Sequence, residues 1–91
     1  LFRLNQNYPN PFNPKTLLCY NLSENGLVNI AIYDTIGRIV KTLVNRSEIA
    51  GFKTVEWDAT NDRNEPVVAG VYFCIINSGN VKQTRKMLLL K

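Results

Sequence analysis

The sequence predicts an all-β chain folded as one antiparallel sandwich of about seven strands. Three observations carry this. Apolar and polar residues alternate in short runs, the period-2 pattern of half-buried strands. Clusters of Gly, Asn, Asp and Ser punctuate the runs, and no stretch shows an apolar stripe at helical spacing. The 91 residues, 45% of them hydrophobic, come close to the ~100 of an immunoglobulin-like sandwich. A chain of this length supports one ordinary core and little more.

The elements follow in order. Gln6 to Pro14 reads QNYPNPFNP. Each proline fixes φ and donates no backbone hydrogen bond, and the residues before them, Tyr8, Asn10 and Asn13, are pushed towards extended conformations. The segment is neither helix nor central strand. It nevertheless carries Tyr8 and Phe12, which favour burial. Residues 1–15 therefore read as a stiff, extended strap or linker whose aromatics anchor on a neighbouring surface, leading into a domain at 16–91. Thr16 to Leu22 alternates as a strand, and Ser23-Glu24-Asn25-Gly26 turns the chain. Val28 to Tyr33 and Arg38 to Val44 form a hairpin around Asp34-Thr35-Ile36-Gly37. In that turn Asp34 bonds the backbone ahead of it and Gly37 accepts a positive φ. The alternation blurs between Val40 and Leu43, the mark of a bulge. After the Ala50-Gly51 turn, Val55 and Trp57 face one way, Thr54 and Glu56 the other. Asp58 to Pro66 is a polar loop. Val71 to Ile76 is apolar throughout, as expected of a strand covered on both faces. Ser78-Gly79-Asn80 leads into the last strand, Val81 to Leu90. There Met87 and Leu89 oppose Leu88 and Leu90, so one pair is expected in the core and the other outside.

Charge and cysteines narrow the class. The net charge is +4, yet residues 1–65 balance and the excess lies in Lys82, Arg85, Lys86 and Lys91. Cations on a final edge strand guard against edge-to-edge pairing, or serve a protein partner. Basic residues interleaved with aromatics are missing, which argues against nucleic acid. The longest closing apolar run, Met87 to Leu90, is far short of a membrane span, so no stable membrane insertion is expected. Without an initiator methionine or an apolar leader, the chain is expected to begin inside a longer protein or after processing. Cys19 lies on the polar side of its strand and Cys74 in an apolar run, a contrast that favours two free thiols over a disulfide. Two cysteines cannot build a structural zinc site.

Catalytic chemistry finds little support. The absence of histidine removes the commonest general base. Ser23, Ser47 and Ser78 lie in or beside turns, and nothing sets two carboxylates across a cleft. No enzyme activity and no cofactor are expected. The 58–66 loop is rich in oxygen ligands, but Arg63 stands where a helical-type calcium loop needs glycine. Turn chemistry is the stronger reading, with calcium as the alternative. Trp57 reads as core, with an exposed sugar-stacking platform as its alternative.

Five motifs follow in order along the whole chain: QNYPNPFNPKT, IYDTIGR, AGFKTVEWD, AGVYF and the closing RKMLLLK. Together they resemble the C-terminal sorting domain (type A) of type IX secretion in Bacteroidota, itself akin to the immunoglobulin-like domain of the flagellar hook-capping protein. The resemblance implies a seven-stranded immunoglobulin-like domain at the end of an exported protein, addressed through the periplasm to the cell surface or medium. It implies as partners the outer-membrane translocon, a sortase-like peptidase and the upstream cargo domain. It assigns recognition to Lys86, Met87, Leu88, Leu89, Leu90 and Lys91, with Gly70 and Tyr72 in the glycine-x-tyrosine element. Tyr8, Asn10, Pro11, Phe12, Asn13 and Pro14 form the strap joining cargo and domain. It also implies that Lys91 is the native end. Two positions depart from the family pattern: Ala59 replaces the glycine after Trp-Asp, and Asn64-Glu65 replaces a glycine-rich turn. The last strand is expected at a sheet edge, with backbone groups open to a receptor strand. Two other classes compete: a structural module that packs on the cargo, and a carbohydrate-binding module.

Overall fold

The structure is a computed structural model that describes residues 2–90. Seven strands form two sheets: β1 (Phe2–Leu4), β2 (Thr16–Leu22), β3 (Gly26–Tyr33), β4 (Ile39–Glu48), β5 (Gly51–Trp57), β6 (Gly70–Ser78) and β7 (Val81–Leu89). One sheet has the order β1-β2-β5, the other β4-β3-β6-β7, and every pairing is antiparallel. This is the immunoglobulin-like sandwich the sequence predicts, with the fourth strand beside the third rather than in the first sheet.

Alternation fixes which side of each strand faces the core. Leu18, Tyr20 and Leu22 of β2 meet Val28, Ile30 and Ile32 of β3 and Tyr72, Cys74 and Ile76 of β6. Trp57 is fully enclosed, as expected of a core residue. The blurred alternation in β4 is real. The β3–β4 register skips Leu43 and then Val40, so both stand as extra residues on the bulged strand.

Three sequence expectations change. Phe2–Leu4 pairs with β2 and buries Leu4, so the first residues belong to the sandwich. The segment between β1 and β2 bends at residues 9–11 and again at 13–14, so the strap is not extended throughout. β6 is covered on one face only, with Val71, Phe73 and Ile75 half-buried on the outer side. A two-layer sandwich has nothing to cover that side, so the apolar run does not signal double burial.

The edges are guarded. β1 has three residues, too few to template a partner. Each longer edge strand carries a half-buried cation on its inner face. By register Lys53 of β5 sides with Tyr20, Lys41 of β4 with Ile32, and Arg85 of β7 with Cys74. A sheet docking edge-on would bury these charges.

The two cysteines sit apart as free thiols. Cys74 is in the core, while Cys19 is half-exposed on the outer side of β2. Burial pushes the Cys74 thiol up to about 12, which removes its thiolate at neutral pH. A maleimide should therefore label Cys19 alone in the folded domain and both thiols in denaturant. Two equivalents under native conditions would contradict this placement.

The strap and terminal strand as a candidate recognition site

β7 is an edge strand, as the sequence predicts, but the strap closes the half nearest its end. Four successive outward-facing backbone groups are taken. Gln6 Nε2 donates to the Lys86 carbonyl (2.9 Å), and Asn10 Nδ2 reaches the same oxygen at 3.5 Å. The Leu88 amide donates to Asn10 Oδ1 (3.0 Å). The Phe12 amide donates to the Leu88 carbonyl (3.0 Å), and the Leu90 amide donates to the Phe12 carbonyl (2.8 Å). The Asn10 side chain thus imitates a strand residue, with one acceptor and one donor aimed at the edge. Prolines at 9 and 11 have no amide to offer, so side chains and Phe12 supply the pairing.

Phe12 anchors this arrangement. Its ring is 1% exposed and packs on Trp57, with centroids 5.6 Å apart. Trp57 stands edge-on to Tyr72 at 5.2 Å, and its Nε1 donates to the Thr60 carbonyl. The neighbouring surface that receives Phe12 is therefore the domain's own core. Tyr8 behaves oppositely and is 78% exposed, although its backbone pairs with Leu17. Asn10, Pro11, Asn13 and Pro14 are exposed.

The residues that hold the strap down include three that sequence reasoning passed over. Asn7 is buried and donates to Thr16 Oγ1 (2.9 Å) and the Pro9 carbonyl (3.1 Å). Thr16 donates to that same carbonyl (2.8 Å), and Gln6 donates to Asn7 Oδ1 (2.6 Å). Polar residues just ahead of the proline-rich run were the available signal. Their partners are not legible from the sequence.

The closing motif divides as its alternation predicts. Met87 and Leu89 are in the core, while Lys86, Leu88 and Leu90 are exposed. Lys91 lies outside the described residues. Met87, Leu89 and Tyr72 therefore present no surface to a partner. Tyr72 instead closes the fold, its hydroxyl donating to the Val68 carbonyl four residues upstream (2.6 Å) as in a tyrosine corner. Gly70 has a φ of 142°, a backbone conformation open mainly to glycine, and this accounts for its place in the motif.

The remaining motifs are turn chemistry. Asp34 Oδ1 accepts the Ile36 and Arg38 amides (3.1 and 2.9 Å), and its Oδ2 meets Arg38 Nε at 2.9 Å. The Arg38 amide foremost holds this carboxyl below its ordinary value. Gly37 takes the expected positive φ, 87°. In the 58–66 loop, Lys41 Nζ sits among Thr60 Oγ1, the Asn61 carbonyl and Asn64 Oδ1 at 3.1–3.2 Å. Three oxygens of the loop that suggested calcium surround an ammonium group, while Asp58, Asp62 and Glu65 accept from Thr60, Thr42 and Asn61. Asp62 also bonds Val40 and Thr42, which caps the edge of β4. Ala59 and Asn64, the positions where glycine is usual, have φ of 63° and 62°. The departures keep the left-handed backbone that glycine would supply, which alanine adopts at a steric cost.

A family model described as the secretion system C-terminal sorting domain matches residues 6–90. The chain belongs to this family. Sorting domains of this kind act in type IX secretion, which exports the protein to the cell surface or medium. Two solved structures share its fold. Dimeric latent PorU from Porphyromonas gingivalis matches at a TM-score of 0.72 and 20% identity, over 99% of this chain and 9% of that one. PorZ from the same organism, described as an essential surface component of the type IX system, matches at 0.67 and 18% identity, over 97% of this chain and 11% of that one. The sorting domain thus spans about a tenth of the structures it matches. No curated protein matches it.

Proposed function

We propose that the sorting domain is a non-catalytic address label, read by the outer-membrane translocon and then by a sortase-like peptidase. The observation that carries this reading is convergence. The strap around Phe12, the Trp57 corner, Gly70 to Tyr72 and the closing strand meet at one pole, linked by the Phe12–Leu89 and Gly70–Leu89 pairings. β1 begins opposite Leu22, at the other pole. Cargo attached ahead of β1 leaves the motif pole unobstructed. Lys86, Leu88, Leu90 and Lys91 are the residues we assign to partner contact. Met87, Leu89, Gly70 and Tyr72 hold them in place from within.

The strap residues Tyr8, Asn10, Pro11, Phe12, Asn13 and Pro14 take a different part from the interdomain joint that the resemblance implies. Phe12 and Asn10 secure the closing strand. Exposed Tyr8 pairs through its backbone with Leu17 at the motif pole, away from where the chain enters β1, so it does not favour the reading of a module that packs on the cargo. The carbohydrate reading loses one of its two candidate platforms, since Trp57 is enclosed, while Tyr33, the other, is half-buried on the outer side of β3.

The test is a fusion of residues 1–91 to a periplasm-targeted fluorescent protein, in a host with a working type IX system. The expected result is translocon-dependent appearance of fluorescence at the surface or in the medium. Periplasmic retention of an intact, folded fusion would refute the address-label reading.

A further inference from the structure

The outer face of the four-stranded sheet carries an apolar patch where a solvated face is ordinarily polar, bounded on one side by the polar row Asn45, Asn29, Asn77 and Lys82. Its rows follow from register. Ile39, Tyr33, Phe73 and Lys86 stand side by side across β4, β3, β6 and β7. The next row is Thr42, Ala31, Ile75 and Thr84, and Val71 pairs with Leu88. Ile39 is 56% exposed and Leu88 37%. The Asp34–Gly37 turn walls this face into an open basin of about 360 Å³, with Tyr33, Phe73 and Ile75 inside and Lys82 and Thr84 at the rim.

We propose that this basin docks a segment of a partner protein with an apolar side chain flanked by carboxylates. The inference rests on the address-label reading and names the side of β7 that is read. Two routes to the closing motif at 86–90 are blocked. Its edge is paired with the strap over residues 86–90, and Met87 and Leu89 are buried. What remains is the outward row Lys82, Thr84, Lys86 and Leu88, continuous with Phe73 and Ile75.

Charge selects the occupant. Lys82 and Lys86 point outward, and neither β6 nor β7 contains an acid. The nearest carboxylate, Asp34, is engaged by Arg38 and two amides. The face is therefore unopposed positive, and acidic residues on the partner raise encounter rate and fix register. A second copy fits poorly, because pairing this face with itself sets lysines near lysines.

The test uses the same fluorescent fusion, with a photo-crosslinking residue at Phe73 and, as a control, at Phe52 on the other sheet. Both are compared with and without Lys82→Glu plus Lys86→Glu. The expected result is a partner adduct at position 73 and not at 52. Charge reversal should cut both adduct and export about tenfold, while the melting curve stays in place. Export unchanged by charge reversal would overturn this inference and leave the address label intact. So would an adduct at 52 alone, an adduct with the mass of two copies, or one with lipid. If the unaltered fusion is not exported, the address label fails and this inference falls with it.

Discussion

Replacing Phe12 by alanine is expected to cost the domain about 3–5 kcal/mol, the usual range for deleting a buried phenyl ring. A domain of this size has only about 5–15 kcal/mol in all. At roughly 4–8 °C per kcal/mol, the melting temperature should fall by at least about 12 °C. Phe12 also sets the register of the strap on β7 through its own amide and carbonyl. Loosening it should therefore open the edge, and the Leu88 and Leu90 amides should lose protection from hydrogen exchange before the other β7 amides. Tyr8→Ala gives the contrast. That ring is exposed, so its loss should stay within about 0.5 kcal/mol. Calorimetry and amide exchange on both variants decide the matter. Equal effects at the two positions would mean that the strap is not locked by Phe12.

These two aromatics mark the boundary of what the sequence discloses. Proline placement shows that the segment cannot be a central strand, and two aromatics show that it must rest on something. Neither shows what. The partner of residues 6–12 is the strand end at 86–90, some 80 residues away, and no local pattern carries a register over that separation. Short-range features were legible for the opposite reason. The Asp34 turn, the β4 bulges and the split of Met87 and Leu89 from Leu88 and Leu90 each follow from neighbours a few residues apart, whereas which of the two pairs faces inward came only from the structure. β1 was missed because three residues contain too little alternation to register. The one-sided burial of β6 was misread because an apolar run reports what a strand could bury, not whether a second layer exists to cover it. In this chain the discrepancy is informative, since the uncovered side is the candidate docking face. The departures at Ala59 and Asn64 put the loop's shape in doubt from the sequence, and only the structure shows that both positions keep a left-handed backbone.

Deleting residues 86–91 is expected to do more than remove an address. Met87 and Leu89 are fully enclosed, and truncations of such side chains cost about 2–5 kcal/mol each. The deletion also strips Gly70 to Phe73 of their β7 partners and the strap of its edge. These losses together reach the total stability of a small domain, so the truncated chain should unfold cooperatively or lose its tertiary packing at ambient temperature. Circular dichroism in the near ultraviolet, where Trp57 reports, measures this directly. Loss of export by the truncated fusion would then reflect loss of the fold and loss of the signal together. Outward substitutions separate the two. Lys86→Glu and Leu88→Ser leave the core untouched and should keep the near-ultraviolet signal of the intact domain. If they also block export, recognition lies in the exposed side chains of β7. If the truncated domain proves to be folded, the inner half of the closing motif contributes less to the core than its burial implies, and the full loss of export becomes evidence for recognition alone.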